Sequence, residues 1–378
     1  MNVPPSPSGA RHTDGSTVRL GALVPLTRPG WVEAGRHLLA GLELAVREVN
    51  ETAGISGRAL ELVVRDTAAD PQRAAAAVDE LAGLGAAAVA GEYHSVAARA
   101  AAARSGALGV PFLCSSAVLD ALTEKPTPWV ARLAPAQSRG WRIYADYLLG
   151  AGRRRIAVAT QPSVYWASGI RVLRDRLAAH GGTVVEFDSN ALTPEALCDA
   201  LVEHGATALL LLVGYPEPAM PIVRAVRGDR RLAEVLVGAP AGQPEFAQWA
   251  AALGDDGAGI PFLRYLPERL GPLGERVGKE LRERLGETPS FVAFEGWDTV
   301  AVLAEVLRSH SMHSTHSPST QRPAIAEAWP CVAVEGTRGP IRFSRTPGIG
   351  VWQWAWAPIQ VVDRDPARPE RFRILHAG

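Results

Sequence analysis

The stretch from Val18 to Val78 constrains the fold more than any other part of the chain. A continuous apolar run over 18–24 predicts a strand covered on both faces, as in a parallel sheet. Apolar residues then recur at three- and four-residue spacing, which predicts one buried helix face, at Leu38, Leu39, Leu42, Ala45, Val46 and Val49. A second apolar run over 60–64 precedes Asp70 and Pro71, a helix cap followed by a proline at the first helical position. The order strand, helix, strand, helix predicts a βαβα unit.

The same alternation continues through most of the chain. Further strands are predicted over 86–90, 110–113, 155–160, 183–187, 206–213 and 235–237, with helices between them over 95–107, 139–149, 165–180, 194–204 and 217–227. A segment over 257–265 returns toward the first half, and the aromatic tail through Trp352, Trp354 and Trp356 is β-like and predicted to pack on the second half. Two doubly wound α/β lobes fit this pattern better than one large sheet.

Length and charge limit the classes of protein to consider. A chain of 378 residues is too long for one typical core, which favours two domains. Lys and Arg together number 39, as do Asp and Glu, so the chain has no net charge at pH 7. No overall positive electrostatic field therefore favours nucleic acid as a partner. The three cysteines, Cys114, Cys198 and Cys331, are far apart and indicate neither a metal knuckle nor a disulfide framework.

The first sixteen residues have no basic segment followed by an apolar run, and no cysteine that could carry a lipid. We expect residues 1–16 to form a disordered leader. No window offers 18 uninterrupted apolar residues, so we expect no membrane span. As written, the chain is expected in the cytoplasm, or at the cell surface if its true start lies upstream.

A polar segment, 309–323, is expected to be a flexible loop. Its His310, His313 and His316 offer a possible metal cluster. A spacing of three residues without a flanking carboxylate or thiolate favours a solvated linker instead. We therefore expect no metal and no cofactor.

Candidate binding residues follow the predicted strands, because open α/β sheets bind ligands beyond the carboxyl ends of their strands. The loop over 25–35 is longer than a strand-to-helix turn needs and carries a tryptophan. Five aromatic residues in such loops favour a cleft with an apolar or flat ligand, although each could instead pack on its own lobe. Serines that precede helices could bind an oxygen of the ligand or act as ordinary caps. The predicted ligand-binding residues are Trp31, Glu92, Tyr93, His94, Ser95, Ser115, Ser116, Ala117, Tyr165, Trp166, Tyr215 and Ala241.

An enzyme is the competing class, since Cys114 beside two serines, with His94 upstream, could supply a nucleophile and a base. The chain has no G-x-S-x-G elbow, no P-loop, no G-x-G-x-x-G after a strand and no H-E-x-x-H. No reaction is specified, and we expect Cys114 to be a buried strand-end residue.

Several segments carry a family resemblance. The opening LVPLTRPG and LLAGLELAVREVN, then GEYHS, VPFLCSSAVLDALT, IAVAT and LLLLVGYPEPA, resemble the branched-chain amino-acid-binding family of class I periplasmic binding proteins over residues 17–360. The family includes subunits of ABC importers and a cytoplasmic amide sensor. The segment GEYHSVAAR is similar to the amide- and urea-binding branch.

The resemblance implies a two-lobed clamp of the Venus-flytrap type, with three crossover segments between Rossmann-like lobes. It places 17–133 and 263–331 in the first lobe, and 134–262 and 332–378 in the second. It implies that a small molecule binds in the cleft, that closure buries it, and that no reaction is catalysed. The loop Ser116-Ala117-Val118 corresponds to the one that holds the ligand carboxylate in the family.

Two departures from the family pattern bear on the ligand. Val118 stands where the amino-acid binders have a threonine, and Ala241 stands where they have an acidic residue that pairs with the ligand ammonium. A buried zwitterion without that carboxylate would leave its ammonium unpaired, at a cost of several kcal/mol. Glu92 is an alternative source of the carboxylate. As the ligand, we therefore rank an amide, an aromatic compound or an otherwise altered small molecule above a leucine-type amino acid.

The resemblance leaves two roles open. Family membership favours the substrate-binding component of an ABC importer, with a permease as partner, and the lack of a signal peptide favours a cytoplasmic sensor. A homodimer is possible in either role. A repressor with a DNA-binding head is not expected, because a leader of about sixteen residues is too short to fold into one.

Overall fold

A computed structural model describes residues 17–122, 127–311, 318–346, 349–354 and 356–378. The predicted leader, 1–16, lies outside the described residues. The chain begins with an alternation of parallel strands and helices, as the sequence predicts. Its elements are β1 (Thr17–Val24), α1 (Val32–Glu51), β2 (Ala59–Asp66), α2 (Pro71–Gly83), β3 (Ala88–Gly91), α3 (Ser95–Leu108), β4 (Phe112–Cys114) and β5 (Val130–Arg132).

A second alternation follows and ends near residue 253. Its elements are α4 (Gln137–Gly150), β6 (Arg155–Thr160), α5 (Val164–Ala178), β7 (Thr183–Asp188), α6 (Pro194–Glu203), β8 (Ala208–Leu212), α7 (Ala219–Gly228), β9 (Leu236–Gly238) and α8 (Ala247–Leu253). These strands form a parallel sheet in the order β7-β6-β8-β9. The first-lobe strands follow the corresponding order β2-β1-β3-β4-β5, so both lobes are doubly wound.

The last third of the chain contributes to both lobes. Its elements are β10 (Phe262–Arg264), α9 (Pro272–Leu285), α10 (Phe291–Ser311), α11 (Pro318–Glu327), β11 (Ala333–Gly336), β12 (Gly339–Thr346), β13 (Ile349–Trp354), β14 (Gln360–Asp365) and β15 (Arg368–Ala377). The strands β10, β14 and β15 form a small antiparallel sheet. The chain passes between the lobes after β5, around β10 and after β13, which agrees with the predicted two-lobed α/β fold and its three crossovers.

The prediction that 332–378 belongs to the second lobe is wrong for its first half. Strands β11, β12 and β13 extend the first-lobe sheet, where β13 pairs in parallel with β5 through Trp352 and Ala131. A buried ion pair explains this placement, since Arg338, in the turn between β11 and β12, donates to Asp298 of α10 at 2.8 Å. Strands β14 and β15, in contrast, contact α4 of the second lobe.

The prediction of a loop over 309–323 is wrong at both ends of that range. Helix α10 continues to Ser311, and α11 begins at Pro318. Residues 312–317, which include His313 and His316, lie outside the described part, as does the side chain of His310. Within the described part, no group of three or more His, Cys, Asp or Glu residues could hold a metal ion. In that same part, every helix is too short or too polar to cross a bilayer.

Two glycine contacts fix how the helices pack. Helices α1 and α10 can cross closely because Gly296 has no side chain. A Cβ at this position would lie 2.4 Å from the carbonyl oxygen of Leu38. In the second lobe, a Cβ on Gly169 of α5 would lie 2.3 Å from the ring of Trp141, which is fully buried. Close packing at these points leaves no room for a larger residue.

Candidate functional site

The candidate site is a cavity of about 310 Å³ between the lobes, at the carboxyl ends of the parallel strands. Nine of the twelve predicted residues line it, namely Trp31, Tyr93, His94, Ser95, Ser116, Tyr165, Trp166, Tyr215 and Ala241. Residues of both sheets meet here because each sheet presents its strand ends to the cleft. This volume lies at the lower end of the range for small-molecule sites.

Trp31 joins the two lobes across the cavity. Its ring lies 5.7 Å from that of Tyr93, in the first lobe, at an angle of 87°. From the second lobe, the rings of Tyr215 and Phe246 approach it to 5.6 and 5.1 Å. These spacings are typical of favourable aromatic pairs. The tryptophan therefore packs against both walls of the cleft and not only on its own lobe.

His94 holds the loop that carries Trp31. The backbone N–H of Trp31 donates to Nε2 of His94 at 2.9 Å. Burial lowers the pKa of His94 to about 4, so the imidazole is neutral at pH 7 and its proton lies on Nδ1. The histidine is thus both a wall of the cavity and an anchor for the tryptophan.

Glu92 does not line the cavity, so the structure does not support it as a partner for a ligand ammonium. Its side chain is fully buried and accepts a hydrogen bond from the hydroxyl of Thr67 at 2.5 Å. The backbone N–H groups of Tyr93 and His94 donate to its other oxygen at 2.8 Å. Burial raises the pKa of Glu92 to about 7. The carboxyl organises the loop before α3 from behind the cavity wall.

Two of the predicted serines lie on the cavity and one does not. Ser95 begins α3, and its Oγ accepts a hydrogen bond from the backbone N–H of Leu119 at 3.3 Å. Ser116 lines the cavity and donates to Oγ of Ser115 at 3.3 Å. Ser115 itself is fully buried beneath it. The hydroxyls therefore connect the loops after β3 and β4, and the start of α3 faces the cavity.

Ala117 is the third predicted residue that does not line the cavity. Its backbone N–H donates to the carbonyl oxygen of Glu92 at 3.1 Å, so it joins two strand-end loops instead. The next residue, Val118, does line the cavity. The valine at this position thus presents methyl groups where a threonine would present a hydroxyl.

In the second lobe, an N-cap positions the aromatic wall. The side chain of Ser163 caps α5 by accepting a hydrogen bond from the backbone N–H of Tyr165 at 3.2 Å. The Tyr165 ring then packs against Trp166 at 4.7 Å. Nearby, the backbone N–H of Gly214 donates to Gln161 at 2.7 Å, which holds the loop that carries Tyr215.

Several lining residues were not among the predicted set. They are Pro29, Ala69, Val96, Val118, Ser163, Val213, Gly214, Gln243, Tyr265 and Phe291. Most are neighbours of predicted residues in the same loops, so the strand-end rule could have included them. Tyr265 and Phe291 come from the segment after β10 and from the start of α10, which no strand-end pattern indicates. Glu295 and Trp297, in the second turn of α10, do not line the cavity.

No Asp, Glu, Lys or Arg is among the described residues that line the cavity. Burial raises the pKa of Tyr215 to about 12 and also raises the pKa values of Tyr93, Tyr165 and Tyr265, so all four phenols are protonated at pH 7. The cavity therefore offers hydroxyl, amide and aromatic groups but no formal charge. An acceptor group of a ligand could face the hydroxyls and the first turn of α3.

Cys114 lacks the properties of a nucleophile. Its thiol is fully buried, donates to the carbonyl oxygen of Ala117 at 3.7 Å and does not line the cavity. Burial raises the pKa of Cys114 to about 12, whereas reactive cysteines have lowered values. The residue is a buried strand-end residue, as the sequence predicts.

The family model for periplasmic binding proteins matches residues 17–360, and the chain belongs to this family. Among curated relatives, it is similar to the Leu/Ile/Val-binding protein homolog 8 of Brucella abortus, with 28% identity over 205 residues, which cover 51% of each chain. The match thus spans about half the length of this relative.

Solved structures share the fold across nearly the whole chain. A leucine-binding protein from Thermotoga maritima superposes with a TM-score of 0.79 at 20% identity, covering 94% of this chain and 97% of that one. A solute-binding protein of an ABC transporter from R. palustris, in complex with benzoate, has a TM-score of 0.78 at 16% identity and covers 96% of both chains. These matches support the same two-lobed architecture.

Proposed function

We propose that this protein captures a small molecule in the cavity between its lobes and releases it chemically unchanged. The observation that carries the proposal is the cavity itself, which both lobes line and which Trp31 spans. Membership of the periplasmic binding protein family supports binding in place of catalysis. Closure of two lobes around a ligand is the common motion of such clamps.

Among candidate ligands, we rank an aromatic compound, an amide or a related small molecule above a leucine-type amino acid. Seven aromatic side chains lie in the cavity wall, at Trp31, Tyr93, Tyr165, Trp166, Tyr215, Tyr265 and Phe291. They favour a flat or apolar ligand, and the hydroxyls fix its polar group. Relatives of this fold bind ligands of both kinds, since one solved structure contains leucine and another contains benzoate.

The first candidate role is the substrate-binding component of an ABC importer, with a permease as partner. The second is a ligand sensor inside the cell. The likeness of residues 91–99 to the amide- and urea-binding branch, which includes importer subunits and a cytoplasmic sensor, is compatible with either role. Import would place the protein outside the cell membrane, and sensing would place it in the cytoplasm. Cell fractionation separates these locations, and neighbouring permease and ATPase genes would support import.

Titration calorimetry with a panel of amino acids, aromatic acids and amides tests binding directly. We expect saturable binding of at least one compound, which mass spectrometry recovers unchanged after prolonged incubation. Chemical turnover of the bound compound would contradict the proposal. Sedimentation analysis with and without that compound tests for a homodimer.

A further inference from the structure

The amide of Gln243 lies in the cavity wall with one polar atom unused. Its side chain is 1% exposed, and Nε2 donates to the carbonyl oxygen of Val213 at 3.4 Å. Among the described residues, no group forms a hydrogen bond with its Oε1. A buried carbonyl oxygen without a hydrogen-bond partner is destabilising relative to a bonded one. The unused acceptor therefore indicates a donor that the protein itself does not supply.

The backbone that carries Gln243 is held from several sides. It opens a short 3-10 turn after Gly242, whose φ of 91° favours glycine. In the same turn, Glu245 pairs with Arg264 at 2.9 Å and accepts a hydrogen bond from the backbone N–H of Phe291 at 3.1 Å. These bonds fix the turn, so only the amide needs to move. The last torsion of a glutamine has a broad minimum, so the amide can reorient toward a ligand while the turn stays in place.

The charge of the surrounding groups limits which donor fits. Gln243 is neutral, and no carboxylate lines the cavity in the described part of the chain. Glu245, next in the turn, is already paired with Arg264. An ammonium group at this position would lose its hydration without gaining a counter-charge. A neutral O–H or N–H group would bond to the amide without that penalty.

We propose that Gln243 is a specificity-determining residue, whose carbonyl oxygen accepts a hydrogen bond from an uncharged O–H or N–H group of the ligand. The site thus selects a small aromatic or apolar molecule with such a group and discriminates against amino-acid zwitterions. This inference rests on the proposed function, since it assigns a ligand class to the same cavity.

Calorimetry with benzamide, 4-hydroxybenzoate, benzoate, leucine and phenylalanine tests the inference. We expect wild type to bind benzamide or 4-hydroxybenzoate at least tenfold more tightly than either amino acid. Of benzamide and 4-hydroxybenzoate, the one that binds wild type more tightly should bind Gln243→Leu at least tenfold more weakly. The affinity for benzoate should change less than threefold. Gln243→Glu should strengthen leucine or phenylalanine binding at least tenfold. Gln72→Glu is the matched control, because Gln72 is exposed on α2 and does not line the cavity.

The outcomes separate the two proposals. Circular dichroism and unfolding midpoints first establish that each variant is folded. If the amino acids bind wild type as tightly as benzamide and Gln243→Leu changes nothing, the ligand class is wrong and solute capture stands. If Glu295→Gln, rather than Gln243→Leu, abolishes binding of an amino acid, the group that accepts the ligand's hydrogen bond is the carboxylate of Glu295, and the inference is overturned. If no compound binds wild type or any variant, the result counts against solute capture and against the inference that rests on it.

Discussion

The backbone N–H of Trp31 donates to Nε2 of His94 across 63 residues of sequence. This bond joins the long loop after β1 to the N-terminus of α3, and it sets the position of the ring that spans the cleft. Because Nε2 must be unprotonated to accept it, the bond also makes the site sensitive to acid.

The first prediction concerns the pH dependence that His94 confers. Burial lowers its pKa from 6.5 to about 4, so below pH 6.5 the unfolded chain binds a proton that the folded chain excludes. The contribution of His94 to the free energy of unfolding therefore falls as pH decreases from 6.5 to 4, by at most about 1.4 kcal/mol per pH unit. Urea unfolding of wild type and His94→Gln across this range measures the difference. An equal pH slope in both proteins would contradict the assignment.

Glu92 should confer a pH dependence of the opposite sign. Burial raises its pKa from 4.5 to about 7, so between these values the folded protein binds the additional proton. Its stabilising contribution is complete below pH 4.5 and is lost as pH rises through 7, at up to about 1.4 kcal/mol per pH unit. The free energy of unfolding of wild type, relative to Glu92→Gln, should thus decrease between pH 5 and 7.5. A difference that stays constant or increases would show that Glu92 is ionised throughout.

A substitution at Gly296 tests the helix packing of the first lobe. In Gly296→Ala, the added methyl group would lie 2.4 Å from the carbonyl oxygen of Leu38, so α1 and α10 must separate. We expect a loss of about 1–3 kcal/mol in the free energy of unfolding, as for other overpacked cores. Gly83→Ala is the matched control, since a Cβ there meets no atom within 4 Å. Equal stability of the two variants would contradict the close crossing.

Removal of one aromatic wall should weaken ligand binding. Trp31→Ala deletes the ring that contacts both lobes, and Tyr165→Ala deletes the side chain packed on Trp166. We expect each variant to bind the best compound of the panel at least tenfold more weakly, because buried aromatic residues dominate binding energies. Trp356→Ala serves as control, since Trp356 is 81% exposed and does not line the cavity. Wild-type affinity in both wall variants would show that the ligand binds elsewhere.

The sequence predicts the strand-end loops well because their position follows from local rules. A parallel strand followed by a helix places the intervening loop at the carboxyl edge of the sheet, whatever the distant chain does. Trp31, Tyr93 and Tyr215 were found in this way, and all three line the cavity. The role of Glu92 behind the wall was not found, because a side chain after a strand can point toward either side of its loop.

The remaining differences depend on contacts that are far apart in the sequence. The pairing of β13 with β5 joins Gln353 to Arg132, and no local pattern distinguishes this partner from a second-lobe strand. The buried pair of Arg338 and Asp298, which holds β11 and β12 on α10, looks like two ordinary surface charges in the sequence. Tyr265 and Phe291 reach the cavity for the same reason, through the packing of the crossover against the helix that follows.

Small-angle X-ray scattering, with and without a saturating concentration of the tightest-binding compound, tests the central claim most directly. We predict that the compound closes the cleft and reduces the radius of gyration below that of the free protein. A scattering profile that does not change when the compound is bound would contradict capture between the two lobes.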